Sequence, residues 1–201
     1  MTTPGREVRV RAEVLSFWFE ELEPSQWCAA KREVDDAIRR RFDRLVRRAA
    51  DGELYPWRTT AEGRLAEIIV LDRFSRCVHR DTPRAFAQDP MALVLAQEAV
   101  ARGALTSLTP TQRAFLLMPY MHSESSRIHV VAEALFREFG APRNHAHELR
   151  HKAIIDRFGR YPHRNQALGR ASTPDESAFL TRLAPPSRGP CDGLACACAC
   201  A

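Results

Sequence analysis

The segment from Ile154 to Arg170 holds the densest group of side chains that could bind or react with a ligand. Arginine, histidine, asparagine and aspartate stand there among two glycines and a proline. Turn residues fix the backbone around such polar groups, and the planar arginine fork suits carboxylates and phosphates. The composition therefore indicates a site for an anion. Its candidate residues are Arg157, Arg160, His163, Arg164 and Asn165.

The same segment also fits a structural role as a clasp between the last helices. In that interpretation Asp156 pairs with Arg157 or Arg160, and Asn165 caps a helix. The two interpretations differ in the effect of replacing Arg160 with alanine. A clasp predicts lost stability, whereas a ligand site predicts lost binding at nearly normal stability.

A second candidate cluster follows an apolar helix that contains Pro119. Proline removes one helical hydrogen bond and clashes with the preceding turn, which predicts a kink or a break. The residues that follow are His122, Ser123 and Glu124, and histidine titrates near neutral pH. We expect His122 and Glu124 to bind a ligand or exchange protons, with Ser123 beside them. The alternative is that Ser123 and Glu124 cap the junction with the next helix.

A third cluster runs from Leu71 to Asp89, where a strongly apolar helix becomes charged. Arg73, Arg76 and Arg80 recur at helical spacing, which predicts one common face. That face either meets a phosphate or carboxylate, or it is solvated and pairs with nearby aspartates at the surface. The candidate ligand-binding residues here are Asp72, Arg76 and Arg84.

The sequence from His147 to His151 has the H-E-x-x-H form that binds zinc in metalloproteases. Arg150 would place a cation between the two ligands, and the third histidine of the extended motif is absent. A pair of histidines on a helix flank explains the pattern better. We therefore predict no metal site and no cofactor.

All these clusters are positioned by helices. Apolar residues recur at helical spacing over residues 8–22 and 31–50, and no alternating strand pattern occurs. Thr59 with Glu62, and Thr173 with Glu176, have the spacing of capping boxes. Further helices are predicted from about 59 to 77, 89 to 103, 109 to 121, 125 to 140, 142 to 159 and from 173. The sequence predicts an all-α array of antiparallel helices.

The chain of 201 residues is 45% hydrophobic and 27% charged, which is ordinary for one globular domain. It has neither an apolar run of about 20 residues nor a secretory signal. We expect a single domain over residues 1–184, a cytoplasmic location and no membrane association. Residues 185–201 form a Pro/Gly-rich and then Cys-Ala tail, where a soft-metal site is possible but low complexity is the favoured interpretation.

Three segments together resemble the bacterial family called domain of unknown function 924: Arg84–Asp89, Pro119–Glu124 and Arg157–Arg170. The resemblance covers about residues 13–183. It implies a tetratricopeptide-like right-handed superhelix of about seven to nine helices, with no established activity. The family usually reads Leu-Asp-Gln-Phe-Pro-Arg-Asn where this chain reads Leu-Asp-Arg-Phe-Ser-Arg-Cys at residues 71–77. These departures alter ligand specificity if the helix lines the family's pocket.

Three classes of function follow from these observations. The favoured one is binding of a small anionic molecule, bearing phosphate or carboxylate, in a pocket lined by arginine and histidine. His122, Glu124 and His163 would then supply acid–base catalysis. The alternative is a helical scaffold that binds a peptide or partner protein. Nucleic-acid binding by the arginines of residues 39–48 is disfavoured, because the apolar stripe of that helix lies opposite them. Enzymatic turnover and oligomeric state are left open by the sequence.

Overall fold

The structure is a computed structural model that describes residues 4–27 and 31–183, and within those ranges it contains helices and no strand. The predicted all-α class is confirmed. Cys28 and the Cys-Ala tail lie outside the described residues. The α-helices are α1 Pro4–Ser16, α2 Arg32–Ala50, α3 Ala61–Ile69, α4 Ser75–Val78, α5 Asp89–Ala101, α6 Pro110–Met121, α7 Ser126–Phe139, α8 Pro142–Phe158 and α9 Pro174–Leu183.

The helix ends follow the local chemistry of their terminal residues. Glu176 and Thr173 form the expected capping box at the start of α9, with N···O distances of 2.7 and 3.2 Å. The box expected at Thr59 is wrong by one residue. The cap of α3 is Thr60, whose hydroxyl accepts from the Gly63 N–H, because Thr59 ends a preceding 3₁₀ turn. Gly159 ends α8 in the left-handed conformation at φ +68°.

A π-helical turn, Val70–Phe74, joins α3 to α4. A π turn adds a residue to the helical repeat, and each residue turns a helix by about 100°. The residues after the turn are therefore shifted around the helix axis. For this reason Arg73 and Arg76 do not share the predicted face, and Arg80 lies beyond the end of α4 at Val78. Arg73 donates to the Trp27 carbonyl, Arg76 to Asp72 and Asp89, and Arg80 to Asp35.

One large apolar core runs through α1 to α7. Its centre is aromatic: the rings of Phe42 and Phe74 lie 4.8 Å apart, and Trp18 meets Phe115 edge to face at 5.5 Å. A smaller cluster of Ile154, Ile155 and Tyr161 anchors the chain after α8. This second cluster is small, so polar contacts carry much of the attachment of that segment.

Helix α6 continues through Pro119 and ends at Met121, so the expected break falls directly before His122. His122 is therefore the first residue after the helix, and Ser123 to Ser125 connect it to α7. In the part of the chain that the structure describes, no helix combines the length and the apolar character that a bilayer crossing requires.

Candidate functional site

Asp72 and His122 form a buried pair. Nδ1 of His122 lies 2.6 Å from Oδ1 of Asp72, and each side chain is about 1% exposed. Asp72 belongs to the π turn and His122 follows the end of α6, so two separate elements meet here. The carboxylate holds the imidazole in the tautomer whose Nδ1 donates and whose Nε2 can accept. No described residue forms a hydrogen bond with that Nε2.

The charge states of the pair follow from burial and from Arg76. Burial lowers the pKa of His122 to about 4, and the attraction of Asp72 opposes this shift only in part. Burial alone would raise the pKa of Asp72, but the charges of Arg76 and His122 outweigh it and hold the pKa well below its usual value. At pH 7 a neutral imidazole therefore lies beside an ionised carboxylate, and its Nε2 lone pair is available to accept a hydrogen bond or a proton.

Asp89 connects this pair to the segment after α8. Its Oδ2 accepts from Nη2 of Arg76 at 2.9 Å and from Nη1 of Arg164 at 3.1 Å. Arg76 also donates to Oδ1 of Asp72 at 3.0 Å. Buried charges are tolerated when they are paired in this way. The interpretation of Asp72 and Arg76 as surface partners is therefore wrong. Asp89 was missed as a site residue, because Asp-Pro at that position is a common helix start.

Arg164 is the most constrained arginine of the site. Its guanidinium carbon lies 4.7 Å from the ring centre of Phe86 and 4.6 Å from that of Tyr161. Only 4% of the residue is exposed, yet its Nε and Nη2 have no hydrogen-bond partner among the described residues. Unsatisfied buried donors are rare in proteins, so they mark a place where water or a ligand is needed.

A cavity of about 360 Å³ opens beside this cluster. Its volume lies in the range of small-molecule sites. Its apolar lining is Pro83, Phe86, Ala87, Pro90, Leu93, Pro119 and Leu168, and its polar lining is Asp89, His122, Ser123, Glu124 and Arg164. Asp72 and Arg76 lie behind the lining, in hydrogen-bond contact with His122 and Asp89. The cavity thus brings together candidates from all three sequence clusters.

Glu124 and Ser123 line the cavity and also hold the backbone. The Glu124 carboxylate accepts two hydrogen bonds from Arg170, at 2.7 and 2.9 Å, and one from the Tyr161 N–H at 2.7 Å. The Ser123 hydroxyl accepts from the Ser125 N–H before α7. The Ser123 hydroxyl therefore closes a turn in the loop, whereas Ser125 is the N-cap of α7 and makes no side-chain capping bond. Glu124 joins the loop after α6 to the later turn.

Arg157, Arg160 and Arg84 lie away from the His122 cavity. Arg157 and Arg160 line an open groove near the start of α9. Arg160 forms two hydrogen bonds with Glu176, at 2.7 and 2.9 Å, and Asn165 donates to the same carboxylate at 3.3 Å. This is the geometry of the clasp, although its acid is Glu176, since Asp156 pairs with Lys152 instead. Arg84 is exposed and is not part of the cavity lining.

His163 has an unusual environment. Both of its ring nitrogens are buried and have no hydrogen-bond partner among the described residues. Burial, with the positive charge of Arg164 added, lowers its pKa to about 3, so the ring is neutral at pH 7. It packs against Tyr161 with the ring centres 5.2 Å apart, and it is not part of the cavity lining.

The H-E-x-x-H segment takes part in a buried hydrogen-bond network. Nδ1 of His129 and Oε1 of Glu148 share a hydrogen bond of 2.6 Å, and Nε2 of His129 donates to the Ser123 carbonyl at 2.8 Å. Nδ1 of His151 lies 2.9 Å from the His147 carbonyl. No group of three potential metal ligands occurs within the described ranges. This network fixes the loop that carries Ser123, and neither His129 nor Glu148 showed a signal for that role in the sequence.

The comparisons with known proteins agree with these motifs. The sequence profile described as "Bacterial protein of unknown function (DUF924)" matches residues 14–183. The chain belongs to this family. It is also similar to a solved structure of a protein of unknown function from Agrobacterium tumefaciens, with 32% sequence identity and a TM-score of 0.82. The match covers 87% of this chain and 98% of that one. Among the curated proteins, none matches the chain.

The departures of this chain from the usual DUF924 pattern face away from the cavity. Arg73 donates to the Trp27 carbonyl at 2.8 Å and lies over the Trp18 ring. The Ser75 hydroxyl donates to the Val70 carbonyl. Burial raises the pKa of the Cys77 thiol to about 11. The retained DUF924 residues Asp72 and Arg76, by contrast, contact the cavity lining.

Proposed function

We propose that the cavity beside His122 binds a small anionic molecule and that His122 exchanges a proton with it. The proposal is carried by one arrangement: an Asp72–His122 pair whose Nε2 has no hydrogen-bond partner among the described residues, next to Arg164, two of whose N–H groups also lack a partner there. An Asp–His pair and a buried guanidinium at one cavity are the parts that acid–base chemistry on an anion requires.

Each residue has a distinct part in this proposal. Asp72 orients the imidazole, so that Nε2 of His122 accepts a proton from the ligand or from a bound water molecule. Arg164 donates hydrogen bonds to the anionic group of the ligand. Glu124 is held by Arg170 at the rim, where it positions the loop that carries Ser123. His163 stays outside the proton transfer, because it does not line the cavity.

Ligand-induced stabilisation tests the proposal. A panel of carboxylates and phosphates is added, and the melting temperature is measured. A ligand at a hundred times its Kd stabilises the native state by about 2.7 kcal/mol, which is roughly 5–10 °C for a domain of this size. The shift should persist in Arg157→Lys, which replaces an exposed arginine away from the cavity, and be lost in Arg164→Lys.

The fold of each variant is checked by circular dichroism, since Arg164 also contacts Asp89. Loss of the shift with a retained fold supports the proposal. If no member of the panel raises the melting temperature of the unmodified protein, the cavity is not an anion site. Binding that persists unchanged in a folded Arg164→Lys variant also contradicts the proposal.

A tetratricopeptide-like superhelix that binds a peptide is a second, weaker proposal. Its support is the exposure of apolar side chains on α7, where Val130 is 62% and Val131 is 46% exposed. Isolated exposed valines are common on protein surfaces, so this observation is less specific than the buried pair. Val130→Ser with Val131→Ser should abolish capture of a partner in a pull-down if this face is the groove.

A further inference from the structure

The lining of the His122 cavity is mostly apolar. Phe86, Leu93 and Leu168 contribute large side chains, and three prolines contribute rigid rings. A bare inorganic anion would leave the apolar surface of the cavity exposed to water. An apolar ligand body would remove the surface from water, which is favourable in proportion to the area buried. The ligand therefore has an apolar part as well as an anionic one.

The charges around the cavity are already balanced. Arg76, Arg164 and Arg170 contact three carboxylates, those of Asp72, Asp89 and Glu124. Two of these acids, Asp89 and Glu124, belong to the lining itself. A dianionic phosphate would face their negative charge without a surplus cation, whereas a singly charged carboxylate meets less repulsion. The charge balance favours a monoanion.

The unpartnered atoms define a complementary hydrogen-bond pattern. Arg164 offers Nε and Nη2 as donors, which suit a carboxylate. Asp89 lines the same cavity, and its buried Oδ1 has no partner within the described ranges although Oδ2 has two. That oxygen can only accept. A ligand that satisfies both residues carries a donor next to its carboxylate.

We infer that this cavity binds a 2-amino or 2-hydroxy monocarboxylic acid with a branched or aromatic apolar side chain. This inference rests on the proposed function and specifies its ligand. The volume of about 360 Å³ equals the liquid share of roughly twelve water molecules, which accommodates an acid of about ten non-hydrogen atoms. In this binding mode the carboxylate accepts hydrogen bonds from Arg164, and the amino or hydroxyl group donates to Asp89. The apolar side chain of the ligand packs between Phe86 and Leu93.

Isothermal titration calorimetry with the full chain tests the inference. The probes are acetate, 4-methylpentanoate, its 2-hydroxy derivative, leucine, leucinamide and inorganic phosphate. Affinity should rise about three- to fourfold for each CH₂ from acetate to 4-methylpentanoate. It should rise again roughly two- to tenfold when the 2-hydroxy or 2-amino group is added. Leucinamide should lose binding, because it lacks the carboxylate. The 2-hydroxy acid and leucine together show which donor is preferred.

The outcomes separate this inference from the proposed function. If neither acids nor phosphate bind, both fail. If phosphate or acetate binds as tightly as the larger acids, the anion site stands and the inference is overturned. Equal affinity for acids with and without the 2-substituent also overturns the inference, because Asp89 then accepts no hydrogen bond from the ligand.

Two variants on α5 test whether Leu93 contacts the apolar part of the ligand. Leu93 lines the cavity, and its neighbour Val94 is 60% exposed and does not. Leu93→Ala should weaken binding of 4-methylpentanoate and leucine roughly tenfold, the equivalent of the lost methylene groups, and leave acetate unchanged. Val94→Ala should change neither affinity. If Leu93→Ala weakened the binding of acetate and of leucine equally, the substitution would have distorted the cavity as a whole. That result would count against a contact between Leu93 and the apolar part of the ligand.

Discussion

Nδ1 of His122 lies 2.6 Å from Oδ1 of Asp72, across 50 positions of sequence. This contact connects the end of α6 to the π turn between α3 and α4. Both side chains are about 1% exposed. Arg76 and Asp89 continue the chain of contacts to Arg164. The pair is therefore a determinant of stability as well as the centre of the proposed site.

Replacing Asp72 with asparagine should lower the free energy of unfolding by about 3–5 kcal/mol, because it removes one partner of a buried charged group. Urea denaturation at pH 7 measures the change. The matched control is Asp36→Asn, which breaks exposed pairs with Arg32 and Arg39 and should cost about 1 kcal/mol or less. Equal effects of the two substitutions would contradict a structural role for the buried pair.

Replacing Arg160 with alanine should lower the melting temperature and leave ligand binding in the His122 cavity intact. Arg160, and then the Thr173 N–H, lower the pKa of Glu176 to about 2, so their contribution to stability is present above pH 4.5 and lost as pH falls towards 2. Thermal unfolding of Arg160→Ala, Glu176→Gln and the double variant measures the coupling. Additive effects would show that the two side chains do not act as a clasp.

The free energy of unfolding should fall as pH is lowered from about 6.5 to 4. Burial lowers the pKa of His151 to about 4, so the unfolded chain binds a proton in this window that the folded protein does not. His151 alone contributes roughly 3 kcal/mol to this loss. His151→Gln should make the profile obtained by urea denaturation at several pH values less steep, and the lowered pKa values of His122 and His163 account for the slope that remains. A variant profile parallel to that of the unmodified protein would exclude His151 as the cause.

Replacing His163 with phenylalanine should stabilise the protein by about 1–3 kcal/mol at pH 7, and by more at pH 5. The substitution keeps a ring against Tyr161 and removes two buried nitrogens that lack partners. His163→Gln, which retains buried polar atoms, is the control and should not stabilise. A stabilised phenylalanine variant that has lost ligand binding would instead assign His163 to the site.

Short-range signals in the sequence determine much of the fold. Apolar periodicity, the capping box of α9 and Gly159 fix where helices begin and end, because these signals act within a few residues. The sequence also located Asp72, His122 and Arg164, since charged and titratable residues at helix ends and turns are conspicuous in an apolar pattern.

The assignment of each arginine needed the tertiary structure. Arg160 and Arg164 are four residues apart in one segment, yet one pairs with Glu176 and the other with Asp89. The turn at Pro162 separates them, and no periodicity describes such a turn. In the same way, the π turn at Val70–Phe74 moved Arg73 away from Arg76, which a regular helix would not have done.

By itself, then, the sequence determined an all-α chain and the segments in which its charged and titratable groups are concentrated, because helix formation and capping depend on near neighbours. Only the tertiary structure decided that Asp72 meets His122, that Asp89 joins Arg76 to Arg164, and that an apolar cavity lies beside them. Those contacts connect residues from different helices. They form because burial of the apolar core also removes the neighbouring charged groups from water, and a buried charge is stable only when it is paired inside the protein.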